Sequence, residues 1–385
     1  MRTIYLDNAA TSFPKAPGVP EAMTRYLTGV GGNPGRGSYA AATEAESASL
    51  TLREKLCEFF GSPDVEACIF TPGATYGLNL VLKGYLQNGG HVLVSSVEHN
   101  AVMRPLNQLA GVEVEKVPCA PDGSLCAADV AARIRPDTRL VCLSHASNVC
   151  GTLLPVGEVG ALCGERGVPF VVDAAQAAGH VPVSREALNA DALIVPAHKG
   201  LLGPQGIGAA LLAPAFAKRV APLVAGGTGS RSNMETQPED LPDKFEAGTQ
   251  NMPGQYGFLA AVEYVAPRME ALHAEAMRLC GLFLAGLGRL PHARILGRQG
   301  VEGRVPVVAV DFTGLDNAMV SDRLAREYGV YTRCVLHCAP SAHRTLNSFP
   351  QGAVRFSIGA GNTQDDIRDT LSALRTIVTQ ARTFA

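Results

Sequence analysis

An aspartate, a lysine and a cysteine, far apart but in that order, carry the chemistry this sequence can do. Asp173 ends the apolar run Val168–Val172, which reads as a buried strand, and Gln176 follows three residues later. Lys199 stands in Ala197-His-Lys-Gly200, shortly after a second such run, Ala192–Val195. A carboxylate and an amine at the ends of neighbouring strands suit pyridoxal 5'-phosphate. The carboxylate pairs with the pyridinium nitrogen and the lysine forms the Schiff base. Cys338, in Leu336-His-Cys-Ala-Pro340, is a thiol that suggests what the cofactor is used for.

Several other residues hold positions that such chemistry needs. Thr71-Pro-Gly-Ala-Thr75 joins a strand to a helix, so the N–H groups around Ala74 and Thr75, with the Thr75 hydroxyl, form a ready phosphate site. An ordinary capped turn is the plainer reading of the same residues. Lys199 is followed by the glycine-dense Gly200–Gly208, which lets backbone approach a ligand closely. Arg355 lies in an apolar strand pattern where an unpaired guanidinium is costly. A bidentate clamp on an amino-acid carboxylate resolves that cost, and a structural ion pair is the alternative. His99, taken alone, reads as a helix-capping or surface histidine. A free thiol near ~8.5 is only a few per cent ionised at neutral pH, and lowering that value by ~1.5 units takes about 2 kcal/mol. A cation beside Cys338 could supply it, and His337 is one candidate if its ring faces the thiol.

The elements that position these residues are legible as alternating apolar and amphipathic runs. Strands are expected at Ala67–Phe70, His91–Ser95, Val112–Val117, Arg139–Leu143, Val168–Val172, Ala192–Val195 and Ile207–Leu212. Helices are expected at Thr75–Tyr85, Ala101–Ala110, Ala127–Ile134 and Val156–Arg166. This alternation predicts an α/β fold, a mostly parallel sheet sandwiched by helices, with ligands beyond the carboxyl ends of the strands. A polar stretch, Gly226–Asn251, interrupts the pattern. A long helical pattern follows from about Gly257, then a smaller α+β unit with strands at Val305–Phe312 and Ala353–Ile358 and helices at Asn317–Tyr328 and from Thr363. The expected division is a large cofactor domain, residues 17–256, and a small domain from residues 1–16 and 257–385 that carries Cys338 and Arg355.

Composition narrows the class. The chain has 385 residues, enough for a large core, with 46% hydrophobic and 18% charged residues. A formal net charge of -2 gives no electrostatic case for nucleic acid or an anionic membrane as partner. Met1–Asp7 reaches an acidic residue before any signal-peptide core could form, and no uncharged apolar run is long enough to span a bilayer, so a cytoplasmic location is expected. The ten cysteines form no C-x-x-C pair and no metal signature, and most read as reduced core residues.

Taken together, Tyr5-Leu-Asp-Asn-Ala-Ala-Thr11, Asn33-Pro-Gly-Arg-Gly37, Glu98-His99, Ser144-His-Ala-Ser-Asn148, Asp173-Ala-Ala-Gln176, His198-Lys199, Phe245-Glu-Ala-Gly-Thr249, His337-Cys338 and Arg355 resemble the cysteine desulfurases of the class V aminotransferase superfamily, nearly end to end. The resemblance implies the fold-type I framework of pyridoxal phosphate enzymes and a homodimer with active sites at the subunit interface. It implies that His99 stacks on the cofactor ring and is a candidate for proton transfer. Gln176 then meets the ring hydroxyl, Asn148 the ring or the substrate carboxylate, and Arg355 the substrate carboxylate. Ala74, Thr75 and His198 join the cofactor set, and Thr249 contacts the phosphate of the partner subunit. L-cysteine is the implied substrate, with Lys199 and Cys338 catalytic and the sulfur carried on Cys338 as a persulfide to an acceptor protein. Cys338 and Arg355 are 17 residues apart, a short connection similar to the group II (SUF-type) members, whose cysteine segment is ordered and sheltered.

The chain also departs from that pattern. Pro196 and Ala197 stand where a hydroxyl residue and a glycine are usual, so one phosphate contact is missing. Tyr39 replaces a common histidine, and Cys334 and Val335 replace a glycine-rich pair. A packing role for Cys334 is favoured over resolution of a persulfide. The rival readings are a selenocysteine lyase or other C–S lyase, an aminotransferase or epimerase, and a non-catalytic binding module. A dinucleotide oxidoreductase is weaker still, because no strand precedes Gly35–Ala40.

Overall fold

The computed structural model describes residues 2–35 and 37–381. Arg36 of the Asn33–Gly37 motif lies outside the described residues. The chain opens with a short strand, β1 (Ile4–Tyr5), and two helices, α1 (Val19–Arg25) and α2 (Ala40–Phe59). The twenty-residue α2 precedes the segment where alternation is legible in the sequence. Its polar and small residues blur the apolar stripe by which a helix is recognised.

Strands and helices then alternate as β2 (Cys68–Thr71), α3 (Ala74–Tyr85), β3 (Gly90–Ser95), α4 (Asn100–Gln108), β4 (Val112–Val117), α5 (Ala127–Ala131), β5 (Thr138–Ser144), α6 (Val156–Arg166), β6 (Phe170–Asp173), β7 (Ala192–Pro196), β8 (Gly208–Leu212) and the short α7 (Pro214–Ala217). The expected strands are all present, with ends shifted by a residue or two. The helix expected to reach Ile134 stops at Ala131. The seven strands form one sheet in the order β2-β8-β7-β6-β5-β3-β4. Neighbours from β4 through β7 are parallel, whereas β8 runs antiparallel to both β7 and β2. Two reversals in succession leave β2 pointing the same way as β7, so its carboxyl end reaches the same edge of the sheet. β6, β7 and β8 are buried along their whole length, which is why they read as continuous apolar runs.

The pattern from Gly257 resolves into two helices, α8 (Met252–Val265) and α9 (Met269–Leu287), separated by a 3₁₀ turn at Ala266–Arg268. Pro267 lacks the N–H that an unbroken helix requires. Asn251 caps α8 by accepting from the Gly254 N–H at 3.1 Å. The remaining elements are β9 (Ala293–Leu296), β10 (Val307–Phe312), α10 (Asn317–Tyr328), β11 (Val330–Tyr331), β12 (Arg333–Val335), α11 (Pro340–Thr345), β13 (Ala353–Ser357) and α12 (Gln364–Ala381). A four-stranded antiparallel sheet in the order β12-β13-β10-β9 packs with α9, α10 and α12 around Phe283, Phe312 and Phe356. β1 pairs in parallel with β11, so the N-terminal residues join this part of the molecule. Asp316 caps α10 at 2.7 Å and Gly329, with φ of 70°, ends it, both readable in the sequence.

Candidate active site

The carboxyl edge of the large sheet gathers residues from five strands, β5 among them through Ser144 at its end and Asn148 just beyond. β2 ends at Thr71 and leads through Gly73 into α3, and β3 ends at Ser95 and leads through His99 into α4. β6 ends on Asp173 itself, and β7 ends three residues before Lys199. Between them lies a cavity of about 520 Å³. Of the residues singled out in the sequence, Ala74, Thr75, His99 and Asn148 line it, as do Asp173, Gln176, His198 and Lys199. Tyr76, Asn79, Pro196 and Leu223 line it too. The first two lie on the exposed turns of α3, and Leu223 lies beyond β8, so sequence spacing gives no signal for them.

Burial shapes the charges in this cavity. Desolvation pushes the Lys199 ammonium down to about 8, opposed by the Asp173 carboxylate. Burial raises Asp173, opposed by the Ala175 N–H, which donates to its Oδ1 at 2.9 Å, and by Lys199. His198 is driven to about 4 by desolvation and then by Lys199 and Lys15, and its Nδ1 has no partner. His99 is also driven to about 4, first by desolvation and then by Lys199. Its Nδ1 accepts the Ala101 N–H at 3.0 Å as the cap of α4. The neutral ring therefore carries its proton on Nε2 and presents a donor, not a base, to the cavity. Beneath it, the buried carboxylate of Glu98 accepts from Ser95 Oγ and from Ser144 N and Oγ. It ties the ends of β3 and β5 together, and desolvation raises it to about 7.

These residues fit pyridoxal phosphate. Gly73, with φ of 138°, leads into α3 without a side-chain cap; the Tyr76 N–H donates to the Gly73 carbonyl at 3.1 Å, which leaves the N–H groups of Ala74 and Thr75 open beside the Thr75 hydroxyl. The unpartnered His198 Nδ1 and Asn148 Oδ1 are buried polar atoms of residues that line the same cavity. Gln176 Nε2 donates to Ala9 O at 3.0 Å. Pro196 offers the cavity no donor, as its missing hydroxyl implies.

Three residues named with the site lie outside the cavity wall. Thr249 is exposed in a separate groove beyond Pro72 and Tyr76. Its loop is fixed by Glu246, which takes two bonds from Arg53, at 2.9 and 2.6 Å, and one from the Phe70 N–H at 2.6 Å. Arg355 is buried on β13 and makes the ion pair that was its alternative reading, with Asp7 at 2.8 Å. It also donates to Asn148 O at 3.1 Å, and its Nε has no partner.

Cys338 follows β12 in a turn whose two carbonyls face inward, that of His337 to Asn148 Nδ2 and that of Cys338 to Asn100 N, each at 2.7 Å. Cys338 is exposed, where the short connection predicts a sheltered residue, and it lies near enough to Lys199 and Arg355 for its charge to act on both. His337 does not activate it. Its ring is buried, held on Ala353 O at 3.1 Å, and desolvation drives it well below its ordinary value, so it stays uncharged. The cation beside the thiol is Arg333, whose Nη2 reaches Sγ at 4.0 Å. Arg333 sits opposite Arg355 across the β12–β13 ladder, a pairing that sequence order conceals.

A fold-type I architecture with a lysine–aspartate cavity at the sheet edge defines a pyridoxal phosphate enzyme. The chain belongs to the class V aminotransferase family, whose model matches residues 4–369. It is 31% identical to a probable cysteine desulfurase of Vibrio cholerae, over 97% of this chain and 93% of the relative. It is 29% identical to the cysteine desulfurase IscS of Dictyoglomus turgidum, over 100% and 96%. Among solved structures it is similar to the apo cysteine desulfurase of Thermococcus onnurineus, with a TM-score of 0.92, 28% identity and coverage of 98% and 95%. The S-sulfonic acid form of the cysteine desulfurase CsdA from Escherichia coli gives a TM-score of 0.87 at 27% identity, over 98% and 95%. Among the described residues, no helix is long and apolar enough to cross a membrane.

Proposed function

We propose that this chain is a pyridoxal-phosphate-dependent cysteine desulfurase, converting L-cysteine to L-alanine with the sulfur carried on Cys338. The observation that carries the reading is a cavity holding Lys199 and Asp173 beside an exposed cysteine whose charge acts on Lys199. The carbonyl of that cysteine is bonded to Asn100, the residue after His99. In this reading Ala74, Thr75 and His198 hold the cofactor phosphate, Asp173 its ring nitrogen, Gln176 its ring hydroxyl and His99 its ring face. Bound there, the cofactor supplies an electron sink for charge at the substrate Cα.

The chain's own residues do the rest. Lys199, neutral above about pH 8, moves the proton at Cα. His99 donates from Nε2 and takes no proton while it caps α4. Arg355 orients the substrate carboxylate by exchanging Asp7 for it. The Cys338 thiolate, beside Arg333, attacks the substrate sulfur. An S–S bond forms as the substrate Cβ–S bond breaks, and the bonding pair leaves with the three-carbon fragment, which is protonated to alanine. A protein thiol then accepts the terminal sulfur.

We further infer a homodimer in which Thr249 reaches the partner subunit's cofactor, supported by its exposure outside the cavity of its own chain. The division at 17–256 against 1–16 and 257–385, the similarity to group II members and a cytoplasmic location belong to the same reading. The 256 boundary of that division lies inside α8. The test is peptide mass mapping of the cofactor-loaded protein after addition of L-cysteine without reductant, with alanine quantified. One extra sulfur on the Cys338 peptide and matching alanine are expected. Bound cofactor with Cys338 unmodified and no alanine refutes the reading and points to selenocysteine or a larger thioether.

A further inference from the structure

Asn148 stands between the cofactor cavity and the cysteine turn. It lines the cavity, and its Oδ1 is buried without a partner. At the other end of the same amide, Nδ2 donates to the His337 carbonyl at 2.7 Å. His337 and Cys338 are consecutive non-glycine residues in the left-handed region, with φ of 48° and 58°. That backbone is disfavoured for residues with a Cβ and persists where the surroundings over-determine it.

Four hydrogen bonds do so here. The His337 carbonyl is held by Asn148 and the Cys338 carbonyl by Asn100 N, at the start of α4. The His337 ring donates to Ala353 O at 3.1 Å, and Ala339 N donates to Leu336 O at 2.8 Å. Two of the four are backbone bonds, and the ring bond lies on the side of β13. The bond from Asn148 is the one made by a side chain of the cavity wall. Asn148 is itself held by Arg355, which donates to its backbone carbonyl at 3.1 Å. Across the ladder from Arg355 is Arg333, the cation on the thiol.

We infer that Asn148 is a positioning residue for the sulfur carrier. Its amide pins the left-handed turn at His337 and Cys338 and so keeps the thiol beside Arg333 and within reach of the cavity. This goes beyond contact with the ring or the substrate carboxylate, and it rests on the reading of Cys338 as the residue that takes the sulfur. Pulled from its donor, the His337 carbonyl loses a partner in a buried setting, and the turn gains freedom to leave its left-handed form. The amide of Asn100 then loses its acceptor, because that acceptor is the Cys338 carbonyl.

The test is hydrogen exchange by mass spectrometry on the holoenzyme, without L-cysteine, in the parent, Asn148→Asp and Asn148→Ala. Asn148→Asp keeps the shape and removes the donor. Asn148→Ala removes the donor without adding a charge, so an effect common to both reports the lost bond. Peptides covering 99–103 and 336–342 are expected to exchange about tenfold faster in both variants, the size of change that loss of one such hydrogen bond produces. A peptide over 317–328, in α10, is expected to stay as in the parent. Unchanged exchange at the first two peptides, with a raised KM for L-cysteine, makes Asn148 a substrate contact alone and overturns the assignment. Equal acceleration at all three peptides overturns it as well, because the amide then supports packing in general. The exchange is read without substrate, so it stands or falls separately from the desulfurase assay.

Discussion

Lys199 lies under opposing influences: burial drives its proton off, and the Asp173 carboxylate holds it on. The balance, at about 8, suits a group that takes and returns a proton near neutral pH. Replacing Lys199 by Ala is expected to lower alanine formation about a thousandfold, measured against the parent at matched cofactor occupancy. Glu98 gives a prediction about stability. Folded, it keeps its proton up to about pH 7, against an ordinary value of 4.5, so between these values the folded chain binds more protons than the unfolded one. Stability from this group is full below pH 4.5 and is lost as pH rises through 7. Glu98→Gln carries no such penalty and should gain on the parent by about 1–3 kcal/mol between acid and mildly basic pH. Urea titrations at both ends of that range measure it, and a difference that stays constant with pH refutes the assignment. Asp173 and Lys199 were legible one by one because each follows an apolar run, whereas Cys338 drew its reading from the family resemblance. The Arg333–Cys338 contact and the neutral state of His337 were not, since the first depends on the turn after β12 and the second on burial of the ring.

At the level of elements, two features decide how the site is held. The start of α3 is open because Gly73 adopts φ of 138°, a conformation that side chains rarely take. Gly73→Ala meets no atom within 4 Å, so its cost is conformational. A loss of about 1–3 kcal/mol in cofactor binding is expected, read by titrating pyridoxal phosphate into the apo protein. The second feature is the buried pair of Arg53 on α2 and Glu246 on the Thr249 loop. Arg53 also donates to Cys68 O and lies over the Phe70 ring at 4.1 Å, so helix, strand and loop meet at one guanidinium. Arg53→Met leaves a buried carboxylate and should destabilise by about 3–5 kcal/mol, while adding Glu246→Leu should recover most of it. Urea denaturation of the two variants tests this, and equal loss in both counts against it.

For the whole molecule, the question is which chain completes which site. If Thr249 serves the partner's cofactor, Lys199→Ala and Thr249→Ala proteins, each impaired, should complement when unfolded and refolded together. Random pairing gives heterodimers with one unimpaired site, restoring about a quarter of parental activity. If Thr249 serves its own chain, every site keeps one lesion and nothing is restored. Assayed alanine formation separates the two.

The chain by itself determined the alternation of strands and helices, the lysine and aspartate at strand ends, and the later strands and helices among which Cys338 and Arg355 lie. Periodicity and apolar runs are local, and local rules read them. The tertiary structure alone decided that β2 returns to the same edge as β7, that Arg355 rests on Asp7, and that Arg333 rather than His337 faces the thiol. It also decided that Asn148 grips the cysteine turn, across 189 residues of chain. These are contacts between residues that sequence distance separates and packing unites, and their charges follow from desolvation, which exists only once the core has closed.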